Sequence, residues 1–162
     1  MKYLVAAVLS LAAVSAVADT QSNSGFYVGG NLVEVDGSDD IGRWTAIEAV
    51  GGYKLNSFVG GEVRLGGAGD SEPNLDAYSS IYYRTESSND TAKAYLLAGY
   101  TVASFSGESG DSEDFDGFSY GAGAGFVINR DFVLNFEVRQ LLKDNDANLD
   151  LTAFSIGTDY RF

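Results

Sequence analysis

Phe154-Ser155-Ile156-Gly157-Thr158-Asp159-Tyr160-Arg161-Phe162 alternates without a break. Phe154, Ile156, Thr158, Tyr160 and Phe162 fall on one face, and Ser155, Gly157, Asp159 and Arg161 on the other. Successive side chains of a β-strand point to opposite faces, so this period of two reads as a strand with one apolar and one polar side. The pattern recurs upstream. Phe132, Leu134, Phe136 and Val138 oppose Val133, Asn135, Glu137 and Arg139, and Val59, Gly61, Val63 and Leu65 oppose Phe58, Gly60, Glu62 and Arg64. Beyond the first eighteen residues no apolar run is long enough for a spanning helix.

Extending this reading along the chain gives eight strands, near 25–35, 44–55, 58–67, 75–85, 93–105, 116–128, 131–141 and 149–162. The connections alternate in length. Asn56-Ser57 and Asn129-Arg130 are tight and 86–92 is moderate, whereas 36–43, 67–74, 106–115 and 142–148 are longer and polar. Short turns on one rim and long loops on the other are the build of an outer-membrane barrel. The start of the chain reads as an export signal. Lys2 precedes an apolar run over 3–14, and Ala16-Val17-Ala18 forms a small-x-small cleavage site before Asp19. Residues 1–18 are therefore assigned as a signal peptide and 19–162 as the barrel domain. Removing 18 of 162 residues leaves 144, enough for eight strands of ~9–11 residues with their turns and too few for a sixteen-stranded porin. Asp19 in place of Cys argues against a lipid anchor.

The sidedness of the alternation separates a membrane barrel from a soluble one. The polar face carries Glu48, Lys54, Glu62, Arg64, Arg84, Glu137, Arg139, Asp159 and Arg161 opposite continuous apolar stripes. In a membrane barrel such a face fills the lumen. Phe26, Tyr53, Tyr83, Phe126, Phe132, Tyr160 and Phe162 share the apolar parity at the tight-turn rim and read as an aromatic girdle, with Trp44, Phe118 and Tyr120 expected in the opposite one. The fold expected is thus an all-β, eight-stranded, antiparallel up-and-down transmembrane β-barrel.

The chain resembles the outer-membrane β-barrel domain family of Gram-negative bacteria, the group of OmpX-like proteins and the OmpA transmembrane domain. The resemblance rests on Gly25-Phe26-Tyr27-Val28-Gly29-Gly30, Gly60-Gly61-Glu62-Val63-Arg64-Leu65-Gly66, Ala94-Tyr95-Leu96-Leu97-Ala98-Gly99-Tyr100, Tyr120-Gly121-Ala122-Gly123-Ala124-Gly125-Phe126 and the terminal strand. It implies residence in the outer membrane among lipopolysaccharide. It also implies that Tyr160 and Phe162 form the C-terminal signal read by the barrel-assembly machinery. No peptidoglycan-binding domain follows Phe162, so the cell-wall tether of full-length OmpA proteins is not expected.

Glu62-Val63-Arg64 and Glu137-Val138-Arg139 repeat one pattern in the third and seventh strands, which face each other across an eight-stranded closure. Buried charges must be paired to be tolerated. A lumen network of Glu48, Glu62, Arg64, Arg84, Glu137 and Arg139 is therefore expected, acting as a polar plug rather than an ion-passing gate.

Charge elsewhere is lopsided. The chain has 23 Asp and Glu against 10 Lys and Arg, a net charge of −13, which disfavours nucleic acid as a partner. The long-loop rim holds Glu34, Asp36, Asp39, Asp40, Asp70, Glu72, Asp76, Glu108, Asp111, Glu113, Asp114, Asp116, Asp144, Asp146 and Asp150 against Arg43 and Lys143. This reads first as a solvated, repulsive surface. Asp111, Glu113, Asp114 and Asp116, and Asp144 with Asp146 at calcium-loop spacing, are the candidates for divalent-cation binding. The second set lacks the Gly at position 6 and the Glu at position 12 of a complete loop, and no metal site is assigned. Cationic surface partners are a further expectation.

With no His and no Cys, the chain lacks an imidazole base and a thiolate nucleophile, and no enzyme activity or cofactor is expected. The function expected is a structural or surface-interaction role through acidic extracellular loops. The alternative is a small-solute or ion pore, against which the narrow lumen of eight strands argues. A ligand-binding soluble barrel would need an apolar lumen, contrary to Glu62, Arg64, Glu137 and Arg139. Amino-terminal sequencing of the membrane-inserted protein is expected to begin at Asp19; a chain still carrying Lys2 would refute the leader assignment.

Overall fold

The computed structural model describes residues 24–37, 43–68, 74–87, 91–106, 112–144 and 149–162. The proposed leader, and with it the assignment of a boundary after residue 18, lies outside them. Eight strands follow one another: β1 (Gly25–Gly37), β2 (Arg43–Lys54), β3 (Val59–Ala68), β4 (Asn74–Glu86), β5 (Ala92–Ser106), β6 (Ser112–Val127), β7 (Phe132–Asp144) and β8 (Leu149–Arg161). Each pairs antiparallel with its sequence neighbours, and β1 pairs with β8 to close the barrel. The expected fold class is the observed one. Closure removes the free edges that an open sheet would expose.

Side-chain chemistry explains the turns. Asn56 Oδ1 accepts from the backbone N–H of Phe58 at 2.8 Å and of Val59 at 3.0 Å. Asn129 Oδ1 accepts from Asp131 and Phe132 in the same way, both at 2.9 Å. An asparagine that bonds the backbone two and three residues on mimics a backbone turn. These two connections share a rim with both ends of the barrel strands, where the Phe162 N–H donates to the Phe26 carbonyl at 3.1 Å.

The strands run further than their polarity suggests. β6 begins at Ser112 and β7 reaches Asp144. Glu113, Asp114 and Asp144 are therefore strand residues, not loop residues as expected, and Asp116 lies well inside β6 rather than at its expected start. Asp111 and Asp146 lie outside the described residues. The acids disguise the strand because they break the apolar outer stripe, while the alternation itself continues through Phe115 and Gly117.

All seven residues of the expected lower girdle point outward and are exposed on the isolated chain, as are Phe118 and Tyr120 above. Trp44 is a correction. It shares parity with Ala46 and Glu48, points inward, and is only 2% exposed. It joins a core of Val33, Val35, Tyr78, Leu141, Leu142 and Leu151 at the loop end of the lumen. Its ring meets Phe105 edge-on at 6.2 Å, and Phe105 meets Phe115 at 5.7 Å. A bulge between Gln140 and Leu142 turns two consecutive leucines inward. The Gln140 amide stabilises it by donating to the carbonyls of Leu142 and Leu151, both at 3.0 Å.

Inside, large side chains lie across from glycine. Tyr27 faces Gly52, Tyr78 faces Gly66, Tyr82 faces Gly99, Tyr95 faces Gly123 and Arg139 faces Gly121. Alternation of large and small residues fills a narrow barrel without overcrowding. A Cβ added at Gly123 would lie 2.3 Å from Cζ of Tyr95, whereas one added at outward Gly51 would meet nothing within 4 Å. Gly123→Ala is expected to destabilise the barrel by about 1–3 kcal/mol through overpacking. Gly51→Ala is expected to stay within roughly 0.5 kcal/mol. Urea-unfolding midpoints in detergent measure both; equal midpoints would refute the large-against-glycine packing.

Candidate functional site

The lumen below the apolar core is built from inward parity alone. β2 brings Glu48, β3 brings Glu62 and Arg64, β4 brings Arg84, and β7 brings Glu137 and Arg139. All six are at most 8% exposed. The structure brings all six sequence-expected residues into one network.

Its central link crosses the barrel. Arg64 Nη1 and Nη2 on β3 donate to Glu137 Oε1 and Oε2 on β7 at 2.8 and 3.0 Å. Such a fork-to-fork pair combines charge with fixed direction, which a lysine could not supply. Arg64 also donates to Glu62 at 2.6 Å and to Glu48 at 3.2 Å. Arg139 Nη2 reaches Glu48 at 2.7 Å, and Arg84 Nη1 reaches Glu62 at 2.6 Å. Remaining lone pairs are met by neutral donors. Tyr27 Oη donates to Glu62 at 2.5 Å, Tyr78 Oη to Glu48 at 2.9 Å, and Asn31 Nδ2 to Glu48 at 2.7 Å. The guanidinium of Arg84 stands 3.8 Å from the ring centre of Tyr95, and that of Arg64 5.2 Å from Tyr82. Aromatic faces so placed help compensate a desolvated cation.

Four charged participants lie outside the expected network, and two of them, Glu86 and Lys93, also lie outside the polar face read from the sequence. Glu86, at the tight-turn mouth of the lumen, accepts from both Lys54 and Lys93, the latter at 2.9 Å, and lies 3.3 Å from Arg84 Nε. Asp159 lies 3.7 Å from Arg84 Nη1. Lys54 and Asp159 are visible on the polar face of the sequence pattern, but their partners are not. Glu86 and Lys93 sit at strand ends, Glu86 read as the start of a connection and Lys93 as the first residue of a strand, where the alternation assigns no face. Tyr27, Tyr82 and Tyr95 read as ordinary strand aromatics, although their inward parity opposite glycine is a usable signal.

Of the expected cation-binding acids, Asp114 and Asp116 have described side chains. Among the described residues no group of carboxylates is placed to hold a metal ion. Asp114 accepts from Ser104 Oγ at 2.6 Å and Asp116 from Tyr100 Oη, both on the outer face.

A closed barrel with an apolar outer wall, aromatic girdles and a charge-filled lumen is a transmembrane barrel. The chain belongs to the outer membrane protein beta-barrel domain family, whose model matches residues 4–162. Its fold is similar to Neisserial surface protein A, with 20% identity and a TM-score of 0.66 over 86% of this chain and 99% of that one. The N-terminal barrel domain of OprF from Pseudomonas aeruginosa matches at 14% identity and a TM-score of 0.68, over 87% and 98% of the two chains. Ail of Yersinia pestis matches at 22% and 0.52, over 88% and 100%. No curated protein matches in sequence.

Glu86→Gln is expected to cost roughly 2–3 kcal/mol of barrel stability, because three cations then surround a neutral amide in a confined mouth. Adding Lys54→Met should restore part of the loss. Unfolding midpoints of the single and double variants check this; an additive further loss would contradict shared neutralisation by Glu86.

Proposed function

We propose that the protein is a non-enzymatic, closed barrel of the outer membrane that presents an acidic rim to the exterior. The observation that supports this reading best is the filled lumen. The apolar core around Trp44 and Leu142 stops one end, and the Arg64–Glu137 network occupies the middle. The space left among Asn31, Arg64, Arg84, Tyr95, Asn135 and Asp159 is about 10 Å³, room for about one water.

A small-solute or ion pore needs a continuous water path, and a space of that size among paired charges weighs against it. Absence of an imidazole base and a thiol favours a role without catalysis, and the buried carboxylates of the network are held by cations rather than poised for proton transfer. The partners that fit are then lipopolysaccharide, loosely bridging divalent cations and cationic surface molecules at the acidic rim. Tyr160 and Phe162 meet edge-to-face on the outside at 5.1 Å between ring centres, a geometry compatible with docking by the assembly machinery. Export through a cleaved leader completes the proposal.

Single-channel recording in planar bilayers tests it. The folded protein, Glu62→Gln and Arg139→Gln are all expected to leave the membrane silent at the nanosiemens scale. Stable openings of that size would establish the pore.

A further inference from the structure

The wall of the barrel reverses polarity part-way along its strands. Towards the tight-turn rim it is apolar outside and charged inside, and towards the loop rim the two faces exchange. On β1, Leu32 is outward and 58% exposed, but the next outward residues are Glu34 and Asp36, while inward Asn31 gives way to Val33 and Val35. On β2, outward Ile47 gives way to Thr45 and Arg43, and inward Glu48 to Ala46 and Trp44. On β5 outward Val102 is followed by Ser104, and on β6 outward Phe118 by Asp116 and Asp114. On β8 outward Phe154 is followed by Thr152, while inward Asp159 gives way to Ala153 and Leu151. On β7 outward Val138 is followed by Gln140, and inward Arg139 by Leu141 and Leu142.

Strand length points the same way independently. β5 and β6 have 15 and 16 residues. A tilted strand needs only ~9–11 to cross the hydrocarbon. The stretch from Phe162 back to Phe154 already supplies an apolar outer face of about that span, so the remainder of each strand is surplus to crossing.

An apolar outer face fits lipid, and a charged outer face over an apolar interior fits water. Arg43 pairs with Glu34 at 3.0 Å and with Asp36 at 3.2 Å on the outside of the wall, and all three side chains are about half exposed or more. A cation and two anions held against acyl chains would carry the cost of charges in hydrocarbon. We infer that the bilayer surrounds only the tight-turn portion of the wall, up to Leu32, Ile47, Val102, Phe118, Val138 and Phe154. Beyond that level two groups of paired strands, β7–β8–β1–β2 and β4–β5–β6, continue as a water-bathed wall over a hydrophobic core of their own. This upper portion is the extracellular stopper of the lumen. It presents the outer wall of the barrel, and not loops alone, to the exterior. The level of the bilayer on the wall is independent of whether the lumen conducts; the role of the upper portion as a stopper rests on the proposed function.

The chain contains no cysteine, so single thiols report without background. Thr45→Cys, Ser104→Cys and Thr152→Cys lie just above the reversal, and Ile47→Cys, Val102→Cys and Phe154→Cys two residues below on the same strands. The folded variants are placed in phospholipid nanodiscs, where both rims meet buffer, and treated with a membrane-impermeant maleimide. The upper three are expected to label to completion and the lower three to be protected. If both members of each pair respond alike, protected or labelled, the inference fails. A measurement without substitution runs beside it. Trp44 is the sole tryptophan and lies in the upper core. Lipids brominated in the middle of their acyl chains are expected to leave its fluorescence nearly unquenched. Quenching as strong as that of a Trp placed at Phe136, in a Trp44→Phe, Phe136→Trp variant, would overturn the inference.

Discussion

The bidentate pair of Arg64 with Glu137 spans the lumen from β3 to β7, and the rest of the structure arranges itself around the need for such a pair. Eight strands enclose a space just wide enough to be filled by side chains. If that space is filled with charge, every charge must find a partner, because an unpaired ion in a low-dielectric interior costs several kcal/mol. The network answers with Glu48, Glu62, Glu86, Glu137 and Asp159 against Lys54, Arg64, Arg84, Lys93 and Arg139. Tyrosine hydroxyls, an asparagine amide and aromatic faces add further contacts, while Arg139 Nη1 is buried without a hydrogen-bond partner among the described residues. Glycines on neighbouring strands open the room for the tyrosines, so backbone composition and electrostatics serve one constraint.

The same constraint explains the net charge of −13. Half of the ten Lys and Arg residues are committed to the lumen, where they are matched one for one. The acidic surplus is therefore a property of the exterior, mostly of the loop rim. Under the proposed function, the outside of the barrel serves recognition and its inside is closed to passage. That division agrees with an envelope or surface-interaction role.

Much of this is legible in the sequence. Period-two alternation marks the strands, the asparagine turns mark which connections are tight, and the repeated Glu-Val-Arg pattern locates the cross-barrel pair. The departures are local, and most have one cause. Polarity along the chain reads as a label for loop or lumen, yet its meaning depends on which solvent surrounds that level of the wall. Asp114 therefore looks like a loop residue, Asp116 like the start of a strand, and Trp44 like a girdle residue, because all three belong to a stretch where outside means water. Glu86 and Lys93 escape for a different reason. At a strand end the alternation stops, and only three-dimensional closure brings β2, β4 and β5 to the same mouth.

The central claim is that charge pairing across the lumen holds this barrel in its closed form. A double-mutant cycle on Arg64→Met and Glu137→Gln, read from reversible unfolding in lipid vesicles, tests it most directly. The account predicts that each single variant is strongly destabilised and that the double variant recovers a coupling energy of about 2 kcal/mol or more, in the upper range for directly interacting residues. Additive losses, with no coupling beyond about 0.5 kcal/mol, would contradict it.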